Sequence, residues 1–151
     1  MACTQAALQA AISTANGNGA TVNRQSGTFR NLTVNGGNLT LRTATLSNGD
    51  AGGSAIAPGA GGGIVVTGNG VLTVNSSTIR NNQANFGGGL SVFNGSQANV
   101  GTTTVQANAA NQNGGGIHNN VGTVTLLATR FSSNISNNCL TSPSPVPGCT
   151  G

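Results

Sequence analysis

One pattern is written three times between Gly61 and Asn134: GGGIVVTGNGVLTVNSSTIRNN, GGGLSVFNGSQANVGTTTVQAN and GGGIHNNVGTVTLLATRFSSN. Four columns hold one register through it. Leu72, Ala98 and Val124 form the first, Val74, Val100 and Leu126 the second, Ile79, Val105 and Phe131 the third, and Asn82, Asn108 and Asn134 the fourth, each at a step of 26 residues. A unit this short, poor in helix pattern and rich in Gly and Asn, buries its apolar edge only against its neighbours, which is the signature of a solenoid.

Within each unit apolar and polar residues alternate briefly, as in Leu72-Thr73-Val74, so one side chain enters a core and the next faces solvent. The pattern predicts three short strands per unit, separated by turn residues such as Gly68-Asn69-Gly70 and Asn94-Gly95-Ser96 that take positive φ at little cost. Stacked strands of successive coils then pair in parallel at roughly 4.8 Å per coil. Such crossovers are nearly always right-handed. The fold expected is an all-β, right-handed parallel β-helix of about four to five coils, one domain over residues 1–151.

The 25 Gly, four Phe and absence of Trp and Tyr confine the core to a narrow aliphatic column. Charged residues make up only 4%: five Arg, at 24, 30, 42, 80 and 130, and a single carboxylate, Asp50. The arginines are scattered and no aromatic side chains stand among them, which argues against nucleic acid as a partner. No stretch approaches the length of a membrane span. Three cysteines without a CxxC or a neighbouring His argue against a metal site, and nothing in the sequence calls for a cofactor.

Along the chain, residues 1–17 read as a capping helix, with Thr4 as N-cap, Leu8, Ile12 and Ala15 on one face and Gly17 as the stop. A first coil follows at Leu32-Thr33-Val34, Leu39-Thr40-Leu41 and Leu46. Its offset to the next coil exceeds one repeat by seven residues, which places an inserted loop at 48–60, expected to bulge from a corner. Coils occupy 18–138. At 139–151 three alternating prolines end the strand pattern, and Cys139 and Cys149 bracket a loop that a disulfide would fasten over the last coil, implying an oxidising compartment. A monomer is expected, with end-to-end association if either cap is lost.

Asn82, Asn108 and Asn134 are expected to form an internal amide ladder. The triple-Gly runs at 61, 87 and 114 mark a corner where backbones approach too closely for a Cβ. Outward pairs recur at Thr43 and Thr45, Ser76 and Thr78, Thr102 and Thr104, then Ala128 and Arg130. If each pair shares a strand face, stacking makes a flat hydroxyl and methyl array. His118, following inward Ile117, is expected at the solvated surface, and Asp50 in a solvated turn.

The coil segments GGGI and NSSTIRNN, the Cys followed by an Ala-rich stretch, and the closing NNC and PGCTG resemble the right-handed β-helix repeat proteins that bacteria, notably actinobacteria, secrete or display. The wider superfamily holds pectate lyases and other polysaccharide enzymes, adhesins and phage tailspikes. One Asp and no Glu supply neither clustered calcium ligands nor the paired carboxylates of a glycosidase, and no acid is placed to orient His118 in a triad. The expectation is a non-catalytic, extracellular or surface module of bacterial origin, structural or adhesive, with cell-wall glycan or surface proteins as partners. Two alternatives are ice binding through the Thr and Ser face and a degenerate carbohydrate-active β-helix without activity.

Overall fold

The computed structural model describes residues 21–23, 29–52, 54, 57–139 and 142–151, without the side chains of 21–23. The capping helix expected over residues 1–17 lies outside the described residues. The remainder is all-β, with parallel strands stacked coil on coil.

Sheet I contains β2 (Leu32–Asn35), β5 (Ile64–Thr67), β9 (Leu90–Phe93) and β13 (Ile117–Asn120); sheet II contains β3 (Asn38–Arg42), β6 (Val71–Asn75), β10 (Gln97–Gly101) and β14 (Thr123–Leu127). Sheet III runs through β1 (Thr21–Asn23), β4 (Thr45–Ser47), β7 (Thr78–Arg80), β11 (Thr104–Gln106) and β15 (Arg130–Ser132), and a two-stranded sheet IV pairs β8 (Gln83–Phe86) with β12 (Ala109–Asn113). Each coil therefore visits sheets I, II and III in turn. The middle coils add a fourth strand, where three per unit were expected from the sequence, because Gln83–Phe86 and Ala109–Asn113 are extended long enough to pair.

The repeat register is the strand register. Leu39, Leu72, Ala98 and Val124 are consecutive partners in sheet II, and Leu46, Ile79, Val105 and Phe131 in sheet III. Alternation sends these side chains inward with Leu32, Ile64, Leu90 and Ile117 of sheet I, and Ile64, Leu72, Ile79, Leu90 and Ile117 are fully buried. Each such Leu or Ile contributes about 1.5–3 kcal/mol on burial, enough for a column one side chain wide to hold a chain with no aromatic centre.

Two departures from the 26-residue step cancel. Leu90 pairs with Ile117, one residue more than the repeat, because β12 bulges between Ala110 and Asn113; the turn at Val121 and Gly122 is one residue shorter, and Gln97 pairs with Thr123 in the old register. The triple-Gly corner explains itself sterically. A Cβ on Gly63, Gly89 or Gly116 would sit 2.5, 2.6 or 2.6 Å from a carbonyl oxygen of the next coil or the C-terminal segment, and one on Gly62, Gly88 or Gly115 would also meet backbone inside 3.0 Å.

The insertion at 48–60 is anchored. Its two ends are held against the next coil: Asp50 and Ala60 bridge to Gln83 and Phe86 of β8, the Gly59 N–H donates to Ala51 O at 3.1 Å, and Ala51, Gly59 and Ala60 are buried. At the other end the Cys139–Cys149 disulfide closes the terminal loop, and Cys139 and Val146 join the core. The loop docks on β13, where Asn119 occupies the inward column of Val66 and Val92. Asn119 Nδ2 donates to Pro145 O at 3.1 Å, and the Ser144 amide donates to Asn119 O at 3.1 Å.

Candidate functional site

The polar interior is organised by the Asn column. Asn82 Nδ2 donates to Asn108 Oδ1 at 2.9 Å, and Asn108 Nδ2 to Asn134 Oδ1 at 3.1 Å. Each amide nitrogen also donates to a carbonyl three residues upstream in the preceding coil's column: Asn82 to Leu46 O, Asn108 to Ile79 O and Asn134 to Val105 O. The backbone N–H groups of Asn82 and Asn108 donate to the next Oδ1, both at 3.1 Å. Each amide nitrogen thus bridges its two neighbouring coils, donating forward to the next Oδ1 and back to a carbonyl.

The column extends further than the repeat shows. In the first coil its place is held by Gly49, whose N–H donates to Asn82 Oδ1 at 2.8 Å, while the missing amide comes from Asn31, donating to the same oxygen at 2.9 Å. At the far end Asn134 Nδ2 donates to Asn138 Oδ1 at 2.7 Å. Asn31 and Asn138 stand outside the 26-residue register, so no column count could reveal them. A second polar column was also missed: Ser77, Thr103 and Thr129 turn inward at the corner between sheets II and III. Their hydroxyls donate to Asn75 O at 2.7 Å, Gly101 O at 2.8 Å and Val100 O at 2.7 Å. The signal was present, since these residues recur at the same step between the outward ones.

The outward hydroxyls fall in two ranks. Thr45, Thr78 and Thr104 are register partners on sheet III, half-buried, with Arg130 next in line. Thr43, Ser76 and Thr102, followed by Ala128, are exposed and lie at the corner before those strands, with φ of 50°, 49°, 46° and 52°. The two members of each pair are thus separated by a bend and do not share one strand face: the left-handed residue swings the chain from sheet II to sheet III. The array is a corner ridge beside a strand rank, not a single plane of paired ranks.

Arg80 and Arg130 are exposed on sheet III and Arg42 is exposed at the end of β3. The Asp50 carboxylate accepts from Gln83 Nε2 at 2.6 Å and from the Gly52 N–H at 2.8 Å, so it is a turn residue tied to the neighbouring coil. His118 departs from expectation. It points away from the central column, as its parity requires, yet is only 5% exposed and its Nδ1 has no partner. The reason is that Phe86, at the corner between β8 and β9, covers the outer side of sheet I here. Ser91 Oγ donates to Phe86 O at 3.0 Å, and the Phe86 ring stands 5.2 Å from the imidazole. Desolvation lowers the His118 pKa from its usual value.

No group of three or more His, Cys, Asp or Glu side chains converges among the described residues, and no described helix is long and apolar enough to cross a membrane. Set against known proteins, the chain matches no family model, no curated protein and no solved structure.

Proposed function

We propose that this protein is a non-catalytic, right-handed β-helix module, secreted or displayed by a bacterium, whose corner ridge and sheet III rank contact cell-wall glycan or neighbouring surface proteins. The observation that carries the reading is the conformation of Thr43 and Thr102. A β-branched residue at φ near 50° costs about 1–2 kcal/mol relative to right-handed backbone, and Gly or Asn would turn the same corner more cheaply. The Thr43 hydroxyl donates to Arg42 O at 2.7 Å, and hydroxyls kept in file with Ser76 on strained, exposed backbone support a use for the outward face. Ranks of hydroxyls spaced by roughly 4.8 Å per coil suit a polymer of hydroxylated rings lying along the axis. With one carboxylate in the whole chain, paired-acid hydrolysis has no candidates. The disulfide supports an oxidising, extracytoplasmic setting.

A glycan array read with the parent chain and with Thr78→Trp and Thr104→Trp tests this. Binding to a defined glycan class that the two variants lose supports the module, while an array blank at high micromolar protein removes glycan contact and leaves a pure spacer. Ice binding is the second reading, favoured by the register of Thr45, Thr78 and Thr104. The bend between the ranks and the side chains of Arg80 and Arg130 weigh against it, since ordered water needs a flat face. Absence of thermal hysteresis or ice shaping in the parent chain disposes of that reading.

A further inference from the structure

Arg30 stands two residues before Leu32, as Gly62 stands two before Ile64, so the first coil places a guanidinium where later coils have a glycine corner. The residue is 5% exposed. Its Nη2 donates to Ala57 O at 2.7 Å and its backbone N–H to Ser54 Oγ at 3.2 Å, both partners belonging to the inserted segment. Nε and Nη1 are buried with no partner at all. The only carboxylate in the chain, Asp50, is engaged by Gln83 and Gly52. A cation is therefore held out of water with one neutral acceptor and no counter-charge.

Buried cations are ordinarily paired, and buried N–H groups ordinarily have an acceptor, whether protein, water or ion. Burial lowers the Arg30 pKa to about 10, which leaves the group charged at neutral pH, so deprotonation does not relieve the imbalance. Nothing else in the described chain supplies the missing negative charge. We propose that the Arg30 guanidinium, between the first coil and the inserted segment at Ser54 and Ala57, binds a small oxyanion of the carboxylate or phosphate class. A planar guanidinium with two free donor atoms favours oxygen acceptors over a point charge. Ser54 Oγ, which accepts from the Arg30 N–H, keeps its own proton to donate. The anion supplies acceptors and charge that the chain lacks, and the inserted segment gains a reason to lie where it does.

The test is thermal unfolding of the full chain in sodium acetate and in sodium phosphate, with ionic strength balanced by sodium chloride, for the parent and for Arg30→Met. The parent is expected to gain about 5 °C at anion concentrations far above the dissociation constant, and Arg30→Met to gain nothing. The stronger of the two salts names the class. A parent melting point equal in all three salts, or an equal gain in Arg30→Met, overturns the proposal. Should Arg30→Met fail to fold, the side-chain Nε–H resonances of the parent decide: a saturable shift of one arginine signal with added phosphate or acetate supports the site, and five unmoved signals refute it.

Discussion

Asn108 uses every polar atom of its side chain inside the stack: Nδ2 bonds Ile79 O and Asn134 Oδ1, while Oδ1 accepts from both nitrogens of Asn82. Truncating it leaves the Asn82 backbone N–H and one N–H of its side-chain amide without an acceptor, at about 1–3 kcal/mol for each group left unsatisfied. Asn108→Ala is therefore expected to lose about 3 kcal/mol or more by urea denaturation, whereas the outward Asn99→Ala loses less than about 0.5 kcal/mol. Equal losses would mean that the ladder contributes nothing special. His118 carries a pH prediction. Its folded pKa lies below the unfolded value because burial disfavours the imidazolium. The unfolded chain thus binds the proton first as pH falls, so stability is full above the usual histidine pKa of about 6.5 and declines below it. As the only histidine, it can be tested alone: His118→Phe is expected to flatten the unfolding midpoint between about pH 7 and pH 5, and a parent midpoint already flat over that range contradicts the burial.

The elements depend on how closely coils approach. Gly88→Ala would drive a methyl into the backbone of Ala109 and is expected to cost more than about 3 kcal/mol, or to prevent folding. Gly37→Ala, with φ of +68° but nothing within 4 Å, should cost only about 1 kcal/mol. Similar melting points for the two variants would show that the corner is looser than described. The terminal loop is closed over ten residues of sequence, and loss of the disulfide through Cys139→Ser with Cys149→Ser is expected to cost about 2–3 kcal/mol. Amide exchange at Ser144 and Ile117, which are bonded across the loop junction, should accelerate before exchange in β6; uniform acceleration would mean the loop is no separate element. Strand placement at this scale was legible in the sequence because parallel stacking converts a sequence repeat directly into register. The fourth strand was not, since Gln83–Phe86 and Ala109–Asn113 differ in length and in outward residues. The burial of His118 was not legible for a related reason: parity gives direction, but the cover comes from the Phe86 ring, which is not in the repeat.

As a whole the molecule is a stack whose middle repeats and whose ends are handled by exceptions. Asn31 completes the ladder at one end and Asn138 at the other. The terminal loop lies over β13, while β14 and β15 form the outer edges of sheets II and III. Exposed Val121, Leu127 and Ile135, the second at 72%, all belong to this last coil. Legibility follows the same division. The repeating interior could be read from columns of identical spacing, but the pieces that end it occur once each and have no column. The core column, the amide ladder and the outward ranks all require coils in register, and the separation between distant coils tests that most directly. Nitroxide labels on Thr40 and Thr125, outward positions in sheet II joined through Thr73 and Asn99 by consecutive strand pairs, should lie about 15 Å apart, three strand spacings, in one narrow distribution measured by electron paramagnetic resonance. A distribution centred beyond about 30 Å, or spread without a maximum, would contradict the stack.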